Sequence, residues 1–464
     1  MSTKTQPARG MRDFLPADVR RRDYVIGVVK RVYERYGFEP LETPAIENIE
    51  TLMGKYGEEG NQLIFKILKR GAHEATGEAD LALRYDLTVP LARVVAEHRN
   101  DLPKFFKRYQ IQPVWRADRP ARGRFREFYQ CDVDCLGSRS MLVEAQLCAA
   151  ASDALTELGF GHFTIRLNHR QVLAGVLDAA GVETEKHTDA LVAIDKLDKI
   201  GRDAVAKEFD ERGLTEVSGE KLLSFFESLA ALEHAAQLLD VENLGHVSEN
   251  EALNAAMLGR LVEFVGDHEA GARGIDELRS IIEYSAALGC AKHIKIDPAL
   301  ARGLSYYTGA IMEIGVPELA GSLGGGGRYD NLVGMFSGQS VPACGFSLGL
   351  ERLIVVMTER EMFPDSLVVA PADVMVAIWN EDGIADSLAL ATELRAENLR
   401  VDLYTETDKL GKQFKYASER GIAFVAVIGV DEKAREEVAL KDLRTGEQQS
   451  APRKSLAATV REKL

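Results

Sequence analysis

Four arginines are placed where they would suit a ligand that carries phosphates. Each lies beside a glycine or at the end of a predicted strand: Arg116, Arg124, Arg302 and Arg352. A guanidinium group forms two parallel hydrogen bonds to a phosphate or a carboxylate, so arginine suits such a site. One arginine alone is more often a surface residue. The four together favour phosphate chemistry, although the signal is generic.

Two aspartates are candidates for binding a cationic group. Asp86 lies two residues before Thr88, and Asp134 lies four residues after Gln130. Because side chains two apart in a strand point to the same face, each aspartate shares a face with a polar neighbour. The alternative is a structural hydrogen bond at a strand end, which is the commoner role of a lone aspartate.

A run of four glycines, Gly324–Gly327, precedes Arg328, Tyr329 and Asp330. The run fits neither GxxxxGK[ST] nor GxGxxG, so the common phosphate-binding loops are excluded. Glycines inside a strand let a ligand or another backbone approach closely. A flexible hairpin turn is equally consistent with this composition.

Three alternating segments between residues 81 and 136 would position these groups. The segments are Leu83–Thr88, a stretch around Trp115–Asp118, and Phe128–Asp134. The residues that share a face in each are Arg84, Asp86 and Thr88; Val114, Arg116 and Asp118; and Gln130, Asp132 and Asp134. The arginine-rich residues 119–126 join the second segment to the third, which predicts a long antiparallel hairpin. Residues 104–126 form a locally basic strip, although such runs are usually solvated faces.

The remaining chain divides by its periodicity. Residues 17–36 predict an amphipathic helix, and 38–46 an extended edge or interface segment. Residues 172–290 predict a mostly helical insertion between two parts of one domain, 1–171 and 291–363. Beyond a linker between Pro364 and Pro371, residues 372–464 alternate strand and helix, as in a small α/β domain with a parallel core.

Bulk properties bound the class of protein. The chain has 464 residues, a net charge of −15 and five cysteines without a CxxC pair. This composition predicts buried, reduced thiols and no zinc ribbon. The N-terminal residues have no apolar segment of a signal peptide, and no apolar run has the length of a membrane span. We therefore expect a cytoplasmic protein that does not enter a membrane.

The motifs resemble those of the histidyl-tRNA synthetase family, over essentially the whole chain. Gly37–Pro44, Phe106–Arg126 and Gly345–Leu353 look like motifs 1, 2 and 3 of class II aminoacyl-tRNA synthetases. Ala301–Gly309 and Gly325–Asp330 are similar to histidine-specific signatures. The resemblance implies an α+β catalytic domain, built on an antiparallel sheet flanked by helices, with a helical insertion over the acceptor arm. It also implies a C-terminal α/β anticodon-binding domain.

The same resemblance implies a role for each matching residue. Asp86 and Thr88 match positions that hold the α-amino group of histidine, and Gln130 and Asp134 match positions beside the amino group and the imidazole. The positions that match pocket tyrosines are Tyr306, Tyr307 and Tyr329. Arg116 matches the arginine on the ATP α-phosphate and the amino acid carboxylate, and Arg302 the catalytic arginine. Arg352, with Arg124, is expected at ATP. Asp118 and Ser305 depart from the family pattern.

The implied reaction ligates L-histidine to tRNA(His) through a histidyl-adenylate, with release of AMP and pyrophosphate. ATP is a substrate, Mg²⁺ is expected on its phosphates, and the chain is expected to form a homodimer. One alternative is a histidine-sensing regulatory subunit of a transferase, which would lack the C-terminal domain. Another is a synthetase for a different amino acid, which the Tyr306-Tyr307 signature disfavours.

Replacing Arg302 tests its catalytic assignment. Because Arg302 is expected to stabilise charge in the transition state, Arg302→Ala should lower kcat for adenylate formation far more than it raises the histidine KM. Pyrophosphate exchange at varied histidine concentration measures both constants. A loss confined to KM would assign Arg302 to ground-state binding instead.

Overall fold

The structure is a computed structural model, and it describes residues 5–71, 76–194, 196–237, 248–301, 306–364, 367 and 370–464. The chain divides into a larger compact unit, residues 1–363, and a smaller one, residues 364–464. In the described part of the chain, no helix is long and apolar enough to cross a membrane.

The strands of the larger unit form two sheets. The strands are β1 (Glu39–Pro40), β2 (Ile46–Asn48), β3 (Lys66–Leu68), β4 (Ala79–Leu83), β5 (Phe106–Trp115), β6 (Glu127–Leu136), β7 (Thr164–His169), β8 (Ile294–Ile296), β9 (Ala310–Gly315), β10 (Ser322–Arg328) and β11 (Ala343–Gly349). The main sheet has the order β1-β5-β6-β11-β10-β9-β7-β8, and the small one the order β2-β4-β3.

Six strands at the centre of the main sheet pair antiparallel, from β5 to β7. Only its outer pairs, β1 with β5 and β7 with β8, are parallel. The predicted hairpin is confirmed, since β5 and β6 pair over ten residues from Phe106 opposite Leu136 to Trp115 opposite Glu127. An antiparallel sheet of this kind has no βαβ phosphate loop, so a ligand must be held by side chains and strand backbone.

Helices cover the main sheet and fill the segment between β7 and β8. The helices of the larger unit are α1 (Pro16–Arg35), α2 (Ile49–Leu52), α3 (Gly57–Gln62), α4 (Thr88–Glu97), α5 (Leu142–Glu157), α6 (Arg170–Ala179), α7 (His187–Ile194), α8 (Leu197–Ile200), α9 (Arg202–Glu211), α10 (Glu216–Gln237), α11 (Glu249–Val265), α12 (Glu269–Ala287), α13 (Gly334–Ser337) and α14 (Leu350–Glu359). The predicted helical character of residues 172–290 is confirmed for the part that the structure describes.

Helix α1 shows how local sequence sets an element. Pro16 lies in its first turn, where a missing N–H costs nothing. Gly37 ends it with φ +75°, and the amide of Phe38 donates to the carbonyl of Tyr33, as in a Schellman cap. Four of its valines are buried against α5, α14 and the sheet: Val25, Val28, Val29 and Val32. The apolar face of α1 is therefore used within the chain.

Two predicted strand segments are wrong in part. Strand β5 ends at Trp115 and residues 116–120 are irregular, so Arg116 and Asp118 do not continue the strand face of Val114. The other segment is Leu83–Thr88. Strand β4 ends at Leu83, and residues 84–87 are irregular before α4 begins at Thr88. Asp86 accepts a hydrogen bond from the amide of Val89 at 3.0 Å, which satisfies a free donor in the first turn of α4. Arg84 instead donates to backbone carbonyls of Thr43 and Pro113. Arg84 and Asp86 therefore do not share a strand face.

The smaller unit has its own sheet and core. Its elements are β12 (Val374–Ala377), α15 (Ile384–Ala396), β13 (Val401–Leu403), α16 (Leu410–Glu419), β14 (Phe424–Val427), α17 (Val430–Ala434), β15 (Glu437–Asp442), β16 (Gln448–Pro452) and α18 (Leu456–Lys463). Strands β13, β12 and β14 are parallel, and β15 and β16 add an antiparallel hairpin. The predicted alternation, parallel core and hairpin are confirmed.

A buried ion pair attaches α5 to the sheet and can be tested. Arg328 Nε and Nη2 donate to the two carboxylate oxygens of Glu144 at 2.7 and 2.9 Å, and both side chains are buried. Arg328→Met leaves Glu144 without its partner, which should lower the free energy of unfolding by about 3–5 kcal/mol. The control is Arg273→Met, which removes an exposed pair with Glu269 and should cost at most about 1 kcal/mol. Equal losses in urea unfolding would contradict the assignment.

Candidate active site

A cavity of about 590 Å³ opens on the central strands of the main sheet. Its walls come from the β5–β6 hairpin, from β9–β11, and from the start of α4 and α14. The predicted site residues that line it are Asp86, Thr88, Arg116, Arg124, Gln130, Asp134, Tyr306, Tyr307, Tyr329 and Arg352. Arg302 and Ser305 lie outside the described residues. The structure therefore brings every described candidate to one cavity.

The most buried part of the cavity, which we call the aspartate end, contains Asp86, Asp132 and Asp134. Arg108 of β5 lies beneath it, fully buried, with Nη2 2.9 Å from Asp134 Oδ2 and 3.8 Å from Asp132 Oδ2. The hydroxyl of Tyr329 donates to the other oxygen of Asp134. Burial raises the pKa of Asp134, and that of Asp132 to about 7, while Arg108 opposes both shifts.

Asp86 is held by neutral donors. The hydroxyls of Tyr56 and Tyr306 donate to its two oxygens at 3.0 and 3.2 Å. Burial raises the pKa of Asp86, whereas these hydrogen bonds, the Val89 amide and the positive charge of Arg116 lower it. Burial also keeps the pKa of Tyr56 and Tyr306 well above the usual value, so the hydroxyls remain donors. Asp86 lines the cavity, so its hydrogen-bonded carboxyl group is within reach of a cationic ligand.

Two acceptor atoms at this end are available to a ligand. Asp132 Oδ1 and Gln130 Oε1 are buried and accept no hydrogen bond from the described residues. The amide nitrogen of Gln130 donates to Ser347 Oγ at 3.1 Å, which fixes the direction of its oxygen. Buried acceptors are costly when unpaired. A ligand that supplies N–H groups would satisfy them.

The glycine run lies in strand β10 at the middle of the sheet, not in a turn. A Cβ on Gly326 would meet the carbonyl oxygen of Gly345 at 2.1 Å, so the neighbouring backbone excludes a side chain there. A Cβ on Gly345 would meet Asp134 Oδ1 at 1.8 Å. Because glycine has no side chain, these positions leave space free for the Asp134 carboxylate and for the cavity.

The other part of the cavity, the arginine end, contains Arg116, Arg124 and Arg352. Arg116 lies 4.2 Å from the ring centroid of Tyr85, and its Nε donates to the carbonyl of Tyr85. Arg124 forms two hydrogen bonds to Asp118, at 2.8 and 3.0 Å. Burial lowers the pKa of Arg352, and the positive charges of Arg124 and Arg116 lower it further. Three crowded cations form a site for an anion such as a polyphosphate.

Several functional residues were not predicted as site residues. Arg108 was counted only as part of the basic strip, yet it is buried beneath the aspartates. Asp132 was placed on the correct face but not at the site, although its position between Gln130 and Asp134 was a sufficient signal. Tyr56 carries no local signal, because it reaches Asp86 only through tertiary packing. Ser347 lies in the segment that resembles motif 3, but its contact with Gln130 depends on the pairing of β11 with β6.

Such an antiparallel sheet, with an acidic pocket and a cluster of arginines in one cavity, defines the catalytic unit of a class II aminoacyl-tRNA synthetase. The sequence model of the family described as histidyl-tRNA synthetase matches residues 10–353, and that of the anticodon binding domain matches residues 373–463. The chain belongs to the histidyl-tRNA synthetase family, whose members ligate histidine to tRNA through an adenylate formed from ATP.

Individual relatives agree over the full length. The histidine–tRNA ligase of Flavobacterium johnsoniae is 39% identical over 99% of this chain and 100% of that protein. The histidine–tRNA ligase of Porphyromonas gingivalis is 41% identical over 97% of each. The crystal structure of histidyl-tRNA synthetase from Nostoc sp. PCC 7120 covers 100% of both chains with a TM-score of 0.79 and 33% identity.

Asp134→Asn tests which ligand occupies the aspartate end. The change keeps the volume and removes a charge, so histidine affinity should fall by about 10- to 100-fold, the size of a charge-assisted hydrogen bond. ATP affinity should change little. Calorimetric titration with each ligand measures both.

The control is Asp118→Asn, which removes a carboxylate from the arginine end and should leave histidine affinity unchanged. Equal weakening of histidine and ATP by Asp134→Asn would mean that Asp134 has a structural role only.

Proposed function

We propose that the cavity makes histidyl-adenylate, with histidine at the aspartate end and ATP at the arginine end. The observation that supports this is the separation of charge: Asp86, Asp132 and Asp134 interact with one another at one end, and Arg116, Arg124 and Arg352 at the other. Histidine offers N–H donors on an ammonium group and an imidazole, and ATP offers phosphates. Each ligand therefore complements one end.

The proposed histidine roles are those that the motif resemblance implies, and the contacts at the aspartate end support them. Asp86 and Thr88 hold the α-ammonium group, beside the amide oxygen of Gln130. Asp134, aimed by Arg108 and by Tyr329, accepts from the imidazole. Tyr306 and Tyr307 form the pocket wall: their rings lie 5.3 Å apart in an edge-to-face arrangement, and Tyr306 also donates to Asp86.

Arg116 belongs to both ends and connects the two substrates. It lines the cavity between the aspartates and the other arginines, lowering the pKa of Asp86 and of Arg352. We assign it to the amino acid carboxylate and the ATP α-phosphate, and Arg124 and Arg352 to the rest of the nucleotide. The catalytic role of Arg302 rests on its sequence motif alone.

The chemistry then needs positioning and charge neutralisation. The histidine carboxylate attacks the α-phosphorus in line, and the bond to pyrophosphate breaks. The hydroxyl of the terminal tRNA adenosine next attacks the activated carbonyl, and AMP leaves. Fixed cations at the arginine end would stabilise negative charge as it gathers on the phosphorus oxygens.

Mg²⁺ is proposed to enter with ATP. The described residues contain no cluster of three or more His, Cys, Asp or Glu side chains that would hold a metal ion. Mg²⁺ commonly keeps several waters and binds through substrate phosphates, so the arginine end needs no dedicated cage. Its role would be to neutralise charge on the β- and γ-phosphates.

The chain is further proposed to act in the cytoplasm as a homodimer with tRNA(His) as partner. The apolar face of α1 packs within the chain, so it does not support dimerisation. The support that remains is the motif 1 resemblance and the position of β1 at the edge of the main sheet, where its free side can pair with a second chain. Sedimentation at micromolar concentration should give about 100 kDa, twice the 51.0 kDa chain.

Pyrophosphate exchange in the presence of each amino acid in turn tests the proposed reaction. Histidine alone should stimulate exchange. Stimulation by another amino acid would overturn the substrate assignment, and no stimulation at all would favour a non-catalytic histidine sensor.

Deletion of residues 372–464 tests the division of labour. Every described residue that lines the cavity belongs to the larger unit, so pyrophosphate exchange should survive. Charging of tRNA should fall by about 100-fold or more, because two linked contacts raise effective concentration and one is lost. The salt dependence of tRNA binding should also weaken.

Full charging by the truncated protein would contradict the anticodon-binding role. Loss of exchange, with thermal unfolding showing an intact larger unit, would place residues 372–464 in the catalytic machinery.

A further inference from the structure

The turn that follows β8 forms part of the cavity wall. It consists of residues 297–300, and its last residue, Leu300, is buried and lines the cavity. Leu300 belongs to a small apolar cluster with side chains of α6 and β9, and Tyr307 packs against the same cluster. The ring of Tyr307 lies 5.3 Å from that of Tyr306, which donates to Asp86. The turn therefore supports the wall beside the aspartate end.

One buried side chain holds this turn. Asn168, at the end of β7, is fully buried, and its amide nitrogen donates to the carbonyl oxygens of Pro298 and Leu300 at 3.2 and 3.0 Å. Because a carboxamide nitrogen has two N–H groups, Asn168 binds both carbonyls at once. The two carbonyls also set the orientation of the amide group, since its oxygen would repel them. Asn168 is therefore a two-point clamp on the turn.

The end of β7 holds both sides of the segment that resembles a histidine-specific signature, residues 301–309. Asn168 binds the turn before it, and the backbone amide of Arg170 donates to the carbonyl of Gly309 at 2.9 Å after it. Arg302 itself lies outside the described residues, but it follows Leu300 by two positions in the sequence. The place of Leu300 is therefore the place from which this segment starts.

Asn168 also lies directly before the helical insertion. The next residue, His169, caps α6: its Nδ1 accepts a hydrogen bond from the backbone of the first turn, and its Nε2 lies 2.8 Å from Glu277 Oε2 of α12. Leu173 of α6 belongs to the same apolar cluster as Leu300. The start of the insertion and the cavity wall are thus packed together around the end of β7.

We infer that Asn168 is a positioning residue for adenylate formation: it fixes the turn 297–300, and so the Leu300 wall and the start of the segment that carries Arg302. Asn168 is not among the described residues that line the cavity, so it acts through the turn and not on a substrate. A displacement of about 1 Å in such a support can lower a rate about 100-fold. The inference rests on the proposed binding of histidine at the aspartate end.

Two substitutions of Asn168 test this inference. Asn168→Asp keeps the shape of the side chain but replaces the two donors by an acceptor that faces two carbonyls, so it should displace the turn. Asn168→Ser keeps one donor on a shorter side chain and should have a smaller effect. Both variants are compared with the wild type as full chains, by pyrophosphate exchange and by thermal unfolding.

The matched control is Asn254→Asp. Asn254 of α11 is also fully buried and also binds backbone, since its amide nitrogen donates to the carbonyl of Ile294 at 2.8 Å and its oxygen accepts from the amide of Ile296 at 2.7 Å. These contacts attach α11 to β8, and none of them is to the turn. Asn254→Asp therefore measures the cost of disturbing a buried asparagine next to β8 without releasing the turn.

Asn168→Asp should lower kcat/KM for histidine in exchange by about 10- to 100-fold. The KM for ATP should stay within about twofold, because the residues of the arginine end belong to other elements. Asn168→Ser should show a smaller loss of the same kind. Asn254→Asp should lower the temperature of unfolding as Asn168→Asp does, with exchange kinetics close to those of the wild type.

Three results would overturn the inference: equal losses for histidine and ATP in Asn168→Asp, the same kinetic change in Asn254→Asp, or unchanged histidine kinetics in Asn168→Ser if Asn168→Asp does not fold. If the wild-type chain showed no histidine-stimulated exchange, the proposed function itself would fail. Calorimetric titration with histidine would then decide the inference separately, because only the Asn168 variants should bind histidine more weakly.

Discussion

The ion pair between Arg108 and Asp134 is the interaction on which the site depends. Burying carboxylates side by side is unfavourable unless a cation or donors compensate them, and here β5 supplies the cation directly opposite β6. Asp132 lies at the longer distance of 3.8 Å and retains an acceptor atom without a partner among the described residues. Asp86 is hydrogen-bonded by neutral donors. On the cavity side, the aspartates therefore have fewer cations and hydrogen-bond donors than they can accept. An ammonium or imidazole N–H of a ligand would supply the missing donor.

That arrangement requires space, which the glycines of two adjacent strands provide. Gly345 lies opposite Asp134 in the register of β11 with β6, and any side chain there would occupy the position of the carboxylate. Gly326 lies opposite Phe346. Because Gly326 has no side chain, the backbone of β11 can lie close to the backbone of β10 there. The glycine run is thus a constraint on the shape of the sheet, and the cavity follows from it. Ordinary β-forming residues at these positions would give a better strand and no pocket.

Local patterns predicted what depends on local geometry. Alternation placed Gln130 and Asp134 on one face correctly, because the direction of a side chain in a strand is fixed by the pleat alone. It failed at Asp86, where the carboxylate accepts from the first turn of a helix and ends the extended run. Arg108 was beyond such reasoning, since Asp134 is brought near it only by the pairing of β5 with β6. The ligand roles of the tyrosines were predicted from the resemblance to family motifs. The periodicity of the sequence carries no information about them.

Charge distribution constrains how a chain of net charge −15 can hold a polyanion. Residues 172–290 contain 24 acidic and ten basic side chains, a net charge of −14, so the rest of the chain is almost neutral. Ten basic side chains cannot neutralise 24 acids, even where ion pairs such as Arg202 with Glu220 form. The helical segment as a whole therefore repels a phosphate backbone, and any contact it makes with the acceptor arm must use individual basic or neutral groups. Attraction to a phosphate backbone has to come from local groups of cationic side chains elsewhere in the chain. Such a charge distribution favours RNA binding through a few local contacts over unspecific adhesion along the chain.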